Sequence, residues 1–188
     1  MNHIYNKTQP MYINNQPIFT AETEHPEALK DWRVHQHSLT DKLQALKGST
    51  QLELISQQWI RPTWWDTYLL QINDELIFQR EIMMKHQDTD YWYARTIIPQ
   101  KCYNINPEFF KRLEKESIRN LIFDGNQVQR VTMVSYPVDN QCLEFYWVKK
   151  NRRTIDGIIW VRLAEFTFEY SESFFLAELL LPALENVS

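Results

Sequence analysis

Strand-like segments that follow one another along most of this chain constrain its fold more than any other feature of the sequence. Alternating and continuous apolar runs predict strands over about residues 51–59, 76–85, 91–98, 127–136, 141–149, 158–169 and 174–181. Strands that run consecutively, instead of alternating with helices, pair most simply as antiparallel neighbours. The sequence therefore predicts an α+β fold, an antiparallel sheet with helices packed on one side.

Helix signals are confined to a few places between these strands. A helical stretch is predicted from Pro26, and Ser38 followed by Asp41 resembles a capping box for a second helix that Gly48 ends. Asn106 followed by Pro107 predicts a third helical region that continues to about residue 123. The chain of 188 residues suits a single domain, which we place at residues 26–188 behind a polar N-terminal arm of residues 1–25.

Composition excludes several functional classes. The chain has only three glycines, and no two are spaced for a phosphate-binding loop or a nucleophile elbow. A net charge of −4 argues against a nucleic-acid partner. Cys102 and Cys142 are predicted to be free thiols, and His35 and His37 lack further ligands, so no metal site is expected. No apolar run is long enough for a membrane span, and the N-terminus has no signal-peptide pattern, so we expect a cytoplasmic location.

Charged residues inside apolar strands are the strongest functional signal. Arg80 lies in the middle of an apolar stripe on one face of its predicted strand. A turn centred between Gln87 and Asp88 would place Arg80 directly opposite Arg95, and two facing guanidinium groups repel each other. Such a pair is tolerated only when an anion neutralises it. The sequence thus predicts a carboxylate, from the protein or from a ligand, beside these arginines.

Glu178 is the second charge that interrupts an apolar strand, between Phe174 and Leu181. A carboxylate at such a position must be paired, hydrogen-bonded or protonated. Two interpretations remain open at this point. Glu178 either forms a buried Arg–Glu bridge that holds strands together, or it belongs with the arginines to a pocket for an anionic ligand. The basic run at residues 149–153 is interpreted as a solvated turn.

Four segments in order resemble the chorismate pyruvate-lyase family. Ser38-Leu39-Thr40 is similar to the family's Ser-x-Thr, and Gln79-Arg80-Glu81-Ile82 is similar to its Arg-Glu strand. Ala94-Arg95-Thr96-Ile97-Ile98-Pro99 resembles the Gly-Arg-Thr-aliphatic-aliphatic-Pro motif, and Ala177-Glu178-Leu179-Leu180-Leu181-Pro182 resembles the closing Thr-Glu motif. The resemblance spans roughly residues 30–182. Each motif is weak alone, and their order and spacing make the combination specific.

The resemblance implies a single-domain, six-stranded antiparallel sheet with helices that form flaps over a buried ligand. It implies conversion of chorismate to 4-hydroxybenzoate and pyruvate, the first step of ubiquinone biosynthesis, without a cofactor or a metal. Catalysis would fall to Glu178 and Arg80, with Arg80 on the ring carboxylate and Glu178 on the ring hydroxyl. Leu39 and Ile118 would line the pocket, and Arg95 matches the second arginine of the pattern.

Some positions differ from the family pattern. Ser117-Ile118-Arg119 replaces a Pro-Leu-Gly segment, and Arg162-Leu163-Ala164 keeps one arginine of an Arg-Arg-Ser strand. The same fold also resembles the effector-binding (UTRA) domain of GntR-type repressors, so a small-carboxylate sensor without catalytic activity is the alternative function. For either function we expect a small-molecule ligand, no nucleic acid, no stable membrane insertion and a monomer.

Overall fold

A computed structural model describes residues 12–23, 27, 29–123, 125–151 and 155–187. Its helices are α1 (Lys30–Arg33), α2 (Leu39–Lys47), α3 (Trp64–Leu69), α4 (Gln100–Ile105), α5 (Pro107–Lys111), α6 (Ile118–Phe123) and α7 (Leu143–Lys149). Its strands are β1 (Tyr12–Ile13), β2 (Gln16–Pro17), β3 (Gln51–Ile60), β4 (Ile77–His86), β5 (Thr89–Pro99), β6 (Val128–Val138), β7 (Ile159–Phe168) and β8 (Glu172–Leu180). Short 3₁₀ helices follow α5, at Arg112–Glu114, and β8, at Pro182–Asn186.

Six strands form one antiparallel sheet in the order β3-β4-β5-β8-β7-β6. Two runs of neighbouring strands, β3-β4-β5 and β6-β7-β8, meet at the pairing of β5 with β8. Because β5 and β8 are central, the motifs around Arg95 and Glu178 lie side by side, with Ala94 opposite Glu178. The predicted α+β class and the six-stranded antiparallel sheet are confirmed.

Helices cover both faces of this sheet, which corrects the prediction that they pack on one side. One apolar core lies between the sheet and α1, α2, α4, α5 and α6. A second core lies on the opposite face and includes Trp65 and Leu69 of α3 together with Phe145 and Val148 of α7. The central strands are therefore buried on both faces, as their nearly continuous apolar sequences require.

The predicted strand at residues 141–149 is wrong, because residues 143–149 form helix α7. Aromatic and β-branched residues in this segment favoured a strand. The buried residues of the helix are Glu144, Phe145, Trp147 and Val148, which lie on one face at the three- and four-residue spacing of an α-helix. Packing of that face against the second core outweighs the local strand preference.

Local signals at the start of α2 are confirmed. Ser38 is the N-cap, and its hydroxyl accepts a hydrogen bond from the backbone N–H of Asp41 at 3.1 Å. Gly48 ends the helix with a φ of 81°, a left-handed conformation that glycine adopts without a steric cost. Pro26, the predicted start of the first helix, lies outside the described residues.

The described part of the predicted N-terminal arm packs against the sheet. Ile13, Ile18 and Ala21 are buried, and the first two belong to the second core. The backbone N–H of Ala21 donates a hydrogen bond to the carbonyl of Pro137, at 2.8 Å. Residues 12–23 thus form part of the packed structure, and the boundary between residues 25 and 26 stays a prediction.

A β-bulge in β5 corrects the predicted register of the hairpin. Near the turn, His86 pairs with Thr89 and Lys85 with Asp90, as a turn centred between Gln87 and Asp88 predicts. The next pair is Met84 with Trp92, so Tyr91 is an extra residue on β5. Each later residue of β5 is therefore shifted by one position, and a shift of one reverses the face of every side chain.

Candidate ligand-binding pocket

A pocket lies between one face of the sheet and the N-terminal ends of α2 and α6. Its lining combines apolar side chains with several arginines and one carboxylate: His37, Ser38, Leu39, Thr40, Ile118, Arg119, Ile122, Phe123, Arg130, Met133, Arg162, Ala164, Phe166, Leu176 and Glu178. The cavity that these residues enclose measures about 40 Å³. That volume holds a few water molecules and is smaller than an aromatic ring.

Glu178 and Arg162 form an ion pair across the floor of this pocket. They face each other on β8 and β7, with Arg162 Nη1 3.2 Å from Glu178 Oε2. The side chains are 16% and 4% exposed, so both charges lie away from solvent. Burial raises the pKa of Glu178, and the positive charges of Arg162 and Arg130 oppose that shift. The carboxyl group therefore accepts a proton more readily than an exposed glutamate does.

Arg162 is held in place by groups other than Glu178. Its Nη2 donates to the carbonyl of His35 at 2.8 Å and lies 3.3 Å from the sulfur of Met133. Nε and Nη1 are buried and make no aligned hydrogen bond to a described residue, so the contact of Nη1 with Glu178 is a charge contact. Nε is thus a buried donor, without a hydrogen bond to a described residue, on a side chain that lines the pocket.

Arg80 is a buried cation on the same face of the sheet. It is 6% exposed, and its Nε makes no hydrogen bond within the described part of the chain. Among the described residues no carboxylate pairs with it, and burial alone lowers its pKa. Arg80 faces Thr96, which faces Leu176 of the pocket lining, so Arg80 lies two strands, about 9–10 Å, from the pocket floor. An anion brought beside Arg80 would relieve a substantial cost of burial.

Leu39 and Ile118 are the first residues of α2 and α6, and both line the pocket. The two helix ends are joined by an ion pair in which Arg119 Nε lies 3.1 Å from both carboxylate oxygens of Asp41. This pair is largely exposed to solvent, at 34% for Arg119 and 52% for Asp41. The cover of the pocket is therefore held closed in part by a surface contact.

Arg95 lies on the opposite face of the sheet, so the structure corrects its predicted place beside Arg80. The bulge at Tyr91 pairs Arg95 with Glu81 and Arg80 with Thr96. Arg95 Nη2 lies 3.0 Å from Asp66 Oδ2. Its Nε donates to Gln79 at 2.8 Å, and its guanidinium stacks on Trp147. Arg95 is thus neutralised by a protein carboxylate and holds α3 to the sheet.

Of the predicted site residues, the structure brings Leu39, Ile118 and Glu178 to one pocket, with Arg80 on the same sheet face. Arg130 and Arg162 also line the pocket, and sequence reasoning did not choose them as site residues. Arg162 carries the same signal that selected Glu178, a charge within an apolar strand. Arg130 gives no such signal, because it lies in a polar segment at the edge of the sheet.

The architecture and the pocket define a class of protein. It is an α+β domain with a helix-covered pocket on one face of an antiparallel sheet, in which cationic side chains outnumber carboxylates. The family model described as "Chorismate lyase" matches residues 4–184, and the chain belongs to the chorismate lyase family.

A relative with a curated description is the chorismate pyruvate-lyase of Pectobacterium atrosepticum. It is 22% identical over 133 residues, which cover 70% of this chain and 72% of the relative. The corresponding protein of Pectobacterium carotovorum is 20% identical over the same length. Sequence identity of 20–22% shows a distant relationship and does not by itself establish the substrate of this chain.

Similar solved structures come from transcriptional regulators. The C-terminal domain of the histidine utilization repressor of Pseudomonas syringae has a TM-score of 0.54 at 8% identity and covers 72% of this chain and 93% of that domain. A GntR-family regulator of Enterococcus faecalis has a TM-score of 0.52 at 14% identity, with coverage of 71% and 94%. These likenesses show that the fold is shared with these regulator structures.

None of the described helices is long and apolar enough to cross a membrane.

Proposed function

We propose that this protein converts chorismate to 4-hydroxybenzoate and pyruvate, the reaction that supplies the aromatic ring for ubiquinone biosynthesis. Membership of the chorismate lyase family supports the proposal. The observation that carries it is Arg80, a buried guanidinium without a carboxylate partner among the described residues. Chorismate carries two carboxylates, so a pocket with excess positive charge matches the substrate.

The positions of the charged groups suit the two ends of chorismate. Arg80 binds the ring carboxylate, and Glu178 contacts the ring hydroxyl from the far end of the pocket. Arg162 and Arg130 line the wall beside Glu178 and bind the carboxylate of the enolpyruvyl group. Arg162 is suited to this contact because its buried Nε makes no hydrogen bond to a described residue.

The reaction breaks the bond between the ring and the enolpyruvyl oxygen. The ring carbon that bears the hydroxyl loses a proton as the ring becomes aromatic, and the departing enolpyruvate takes up a proton to become pyruvate. The protein contributes positioning of the substrate, exclusion of water and charge stabilisation of the departing group. Burial raises the pKa of Glu178, and this supports a role for its carboxyl group in proton transfer to the leaving oxygen. Leu39 and Ile118 cover the ring, and the small cavity requires α2 or α6 to move when substrate enters.

The test is incubation of the purified chain with chorismate, with formation of 4-hydroxybenzoate followed by chromatography or absorbance. Chorismate without protein is the control for spontaneous breakdown. Product formed in proportion to protein, with an equal amount of pyruvate, supports the proposal. An absence of product above the control, from a folded protein, contradicts it.

A small-carboxylate sensor is the second candidate, because the fold is shared with regulator domains. Such a protein would bind 4-hydroxybenzoate or chorismate in the same pocket and release chorismate unchanged. Calorimetric titration with both compounds separates the two functions. Binding of chorismate without turnover favours the sensor, and turnover favours the lyase.

A further inference from the structure

A second pocket lies on the opposite face of the sheet from Glu178. Its walls come from the segment after β2, from α3 and from the start of α7: Pro17, Ile18, Phe19, Trp64, Trp65, Tyr68, Leu69, Gln141, Cys142, Leu143 and Glu144. The cavity measures about 170 Å³. An apolar protein cavity of about 150 Å³ holds benzene, so this pocket accommodates one aromatic ring.

Aromatic side chains form the outer wall of this second pocket. Trp64 stacks on Tyr68 with ring centroids 5.0 Å apart and an angle of 7° between the planes. Trp64 is 64% exposed and Phe19 is 67% exposed, although both are large apolar residues. Exposed aromatic faces at the mouth of a pocket attract apolar groups and, through the ring quadrupole, cations.

A buried carboxylate forms the inner end of the pocket. Glu144 is 4% exposed, and its Oε1 accepts hydrogen bonds from Trp65 Nε1 and from the Tyr136 hydroxyl, both at 2.9 Å. Burial raises the pKa of Glu144, and these two hydrogen bonds, the N–H of its own backbone and the charge of Arg95 oppose that shift. Among the described residues, no cation forms an ion pair with Glu144. Arg95, the nearest buried cation, is already paired with Asp66. Glu144 thus places a buried carboxylate, without an ion pair to any described residue, at the end of a cavity whose walls are aromatic.

We propose that this pocket binds a small primary ammonium that carries an aromatic or similarly sized apolar group. The ammonium donates to Glu144 Oε2 and supplies the missing positive charge, while the apolar group packs among Phe19, Trp64 and Tyr68. A neutral molecule of the same shape gains the packing and lacks the charge. The inference concerns a site separate from the chorismate pocket, so it stands or falls independently of the proposed lyase activity.

The experiment is calorimetric titration of the full chain with benzylammonium, which is protonated at neutral pH, and with benzyl alcohol, its neutral analogue. We expect benzylammonium to bind at least 10-fold more tightly than benzyl alcohol. Trp64→Ala should weaken benzylammonium binding at least fivefold, because it removes part of the aromatic wall. Tyr170→Ala is the matched control, since Tyr170 is 74% exposed and does not line the pocket, and it should leave binding unchanged.

Equal binding of the two compounds, or wild-type affinity in Trp64→Ala, would overturn the proposal. Glu144→Gln provides a second test, because the amide oxygen still accepts from Trp65 and Tyr136. It should retain binding of benzyl alcohol and lose the preference for the cation, and a retained preference contradicts the assignment. Saturation with 4-hydroxybenzoate should not displace benzylammonium, whereas competition would place the amine in the other pocket and refute the second site.

Discussion

Arg80 and Arg95 lie on adjacent strands of one hairpin and project from opposite faces of the sheet. Arg80 has no carboxylate partner among the described residues, whereas Arg95 lies 3.0 Å from Asp66. The two arginines occur in motifs that look alike in the sequence, a charge within an apolar strand. Their environments differ accordingly: Arg95 is neutralised within the protein, and the unpaired charge of Arg80 supports its proposed role in ligand binding.

Arg80→Met is expected to reduce turnover of chorismate at least 100-fold, because it removes the cation for the ring carboxylate. The free energy of unfolding should equal or exceed that of the wild type, since an unpaired buried charge is replaced by an apolar side chain of similar length. Steady-state kinetics and urea unfolding measure the two quantities. Near-normal turnover would show that Arg80 does not bind substrate.

Arg95→Met is expected to have the opposite effects, a lower free energy of unfolding with most of the turnover retained. It leaves the carboxylate of Asp66 buried without its cation, and loss of one partner of a buried pair costs about 3–5 kcal/mol. Urea unfolding should show this loss, while the protein that remains folded keeps substantial turnover. Asp66→Asn combined with Arg95→Met should recover part of the stability, because the stranded charge is removed. If Arg95→Met is fully stable, the pair does not stabilise α3 on the sheet.

The sequence predicts both arginines as buried charges but does not predict that they lie on opposite faces of the sheet. The six strands of the large sheet, the turn of the hairpin and the face of Glu178 beside Phe174 and Leu176 could be predicted from the sequence. The bulge at Tyr91 could not be predicted, because Tyr91 is one more apolar residue in an apolar strand and nothing in the sequence marks it as extra. Tyr91 and Trp92 both contribute to the same core as a result of the bulge, and no alternating pattern predicts that arrangement.

The ion-pair partners of buried charges on other strands could not be predicted from the sequence either. The sequence predicts that Glu178 is paired, hydrogen-bonded or protonated, and in the structure its partner is Arg162 on the neighbouring strand. Choosing Arg162 requires the strand order, since pairing of β7 with β8 fixes which residues face each other. The strand predicted over residues 141–149 is wrong for a different reason. The strand preference of this segment is local, whereas the packing that makes it helical comes from the second core.

Asp41→Asn should weaken the closed state of the pocket, because it removes the charge that holds Arg119 and joins α2 to α6. An exposed ion pair contributes about 0.2–1 kcal/mol, so the affinity for 4-hydroxybenzoate should fall by about 1.4- to fivefold. Calorimetric titration measures the affinity. Asp156→Asn is the control, since it removes the surface pair with Lys149, whose residues do not line this pocket, and should leave binding unchanged. Equal effects of both variants would contradict a role for the Arg119–Asp41 pair.

Glu178→Gln separates the two roles of the carboxyl group. The amide preserves a hydrogen-bond donor and an acceptor for the ring hydroxyl and cannot transfer a proton. Turnover reduced by 100-fold or more, with affinity for 4-hydroxybenzoate within threefold of wild type, indicates proton transfer. Turnover close to wild type would limit Glu178 to orientation of the substrate.

The raised pKa of Glu178 also predicts how stability depends on pH. A carboxyl whose folded pKa lies above its ordinary value of 4.5 binds its proton more tightly in the folded state. Its stabilising contribution is therefore complete below pH 4.5 and is lost as the pH rises through the folded pKa. The free energy of unfolding of the wild type, measured relative to Glu178→Gln by urea unfolding at several pH values, should decrease over that window. A difference that is constant with pH, or that increases, would show that Arg162 and Arg130 compensate the carboxylate fully and that burial does not raise its pKa.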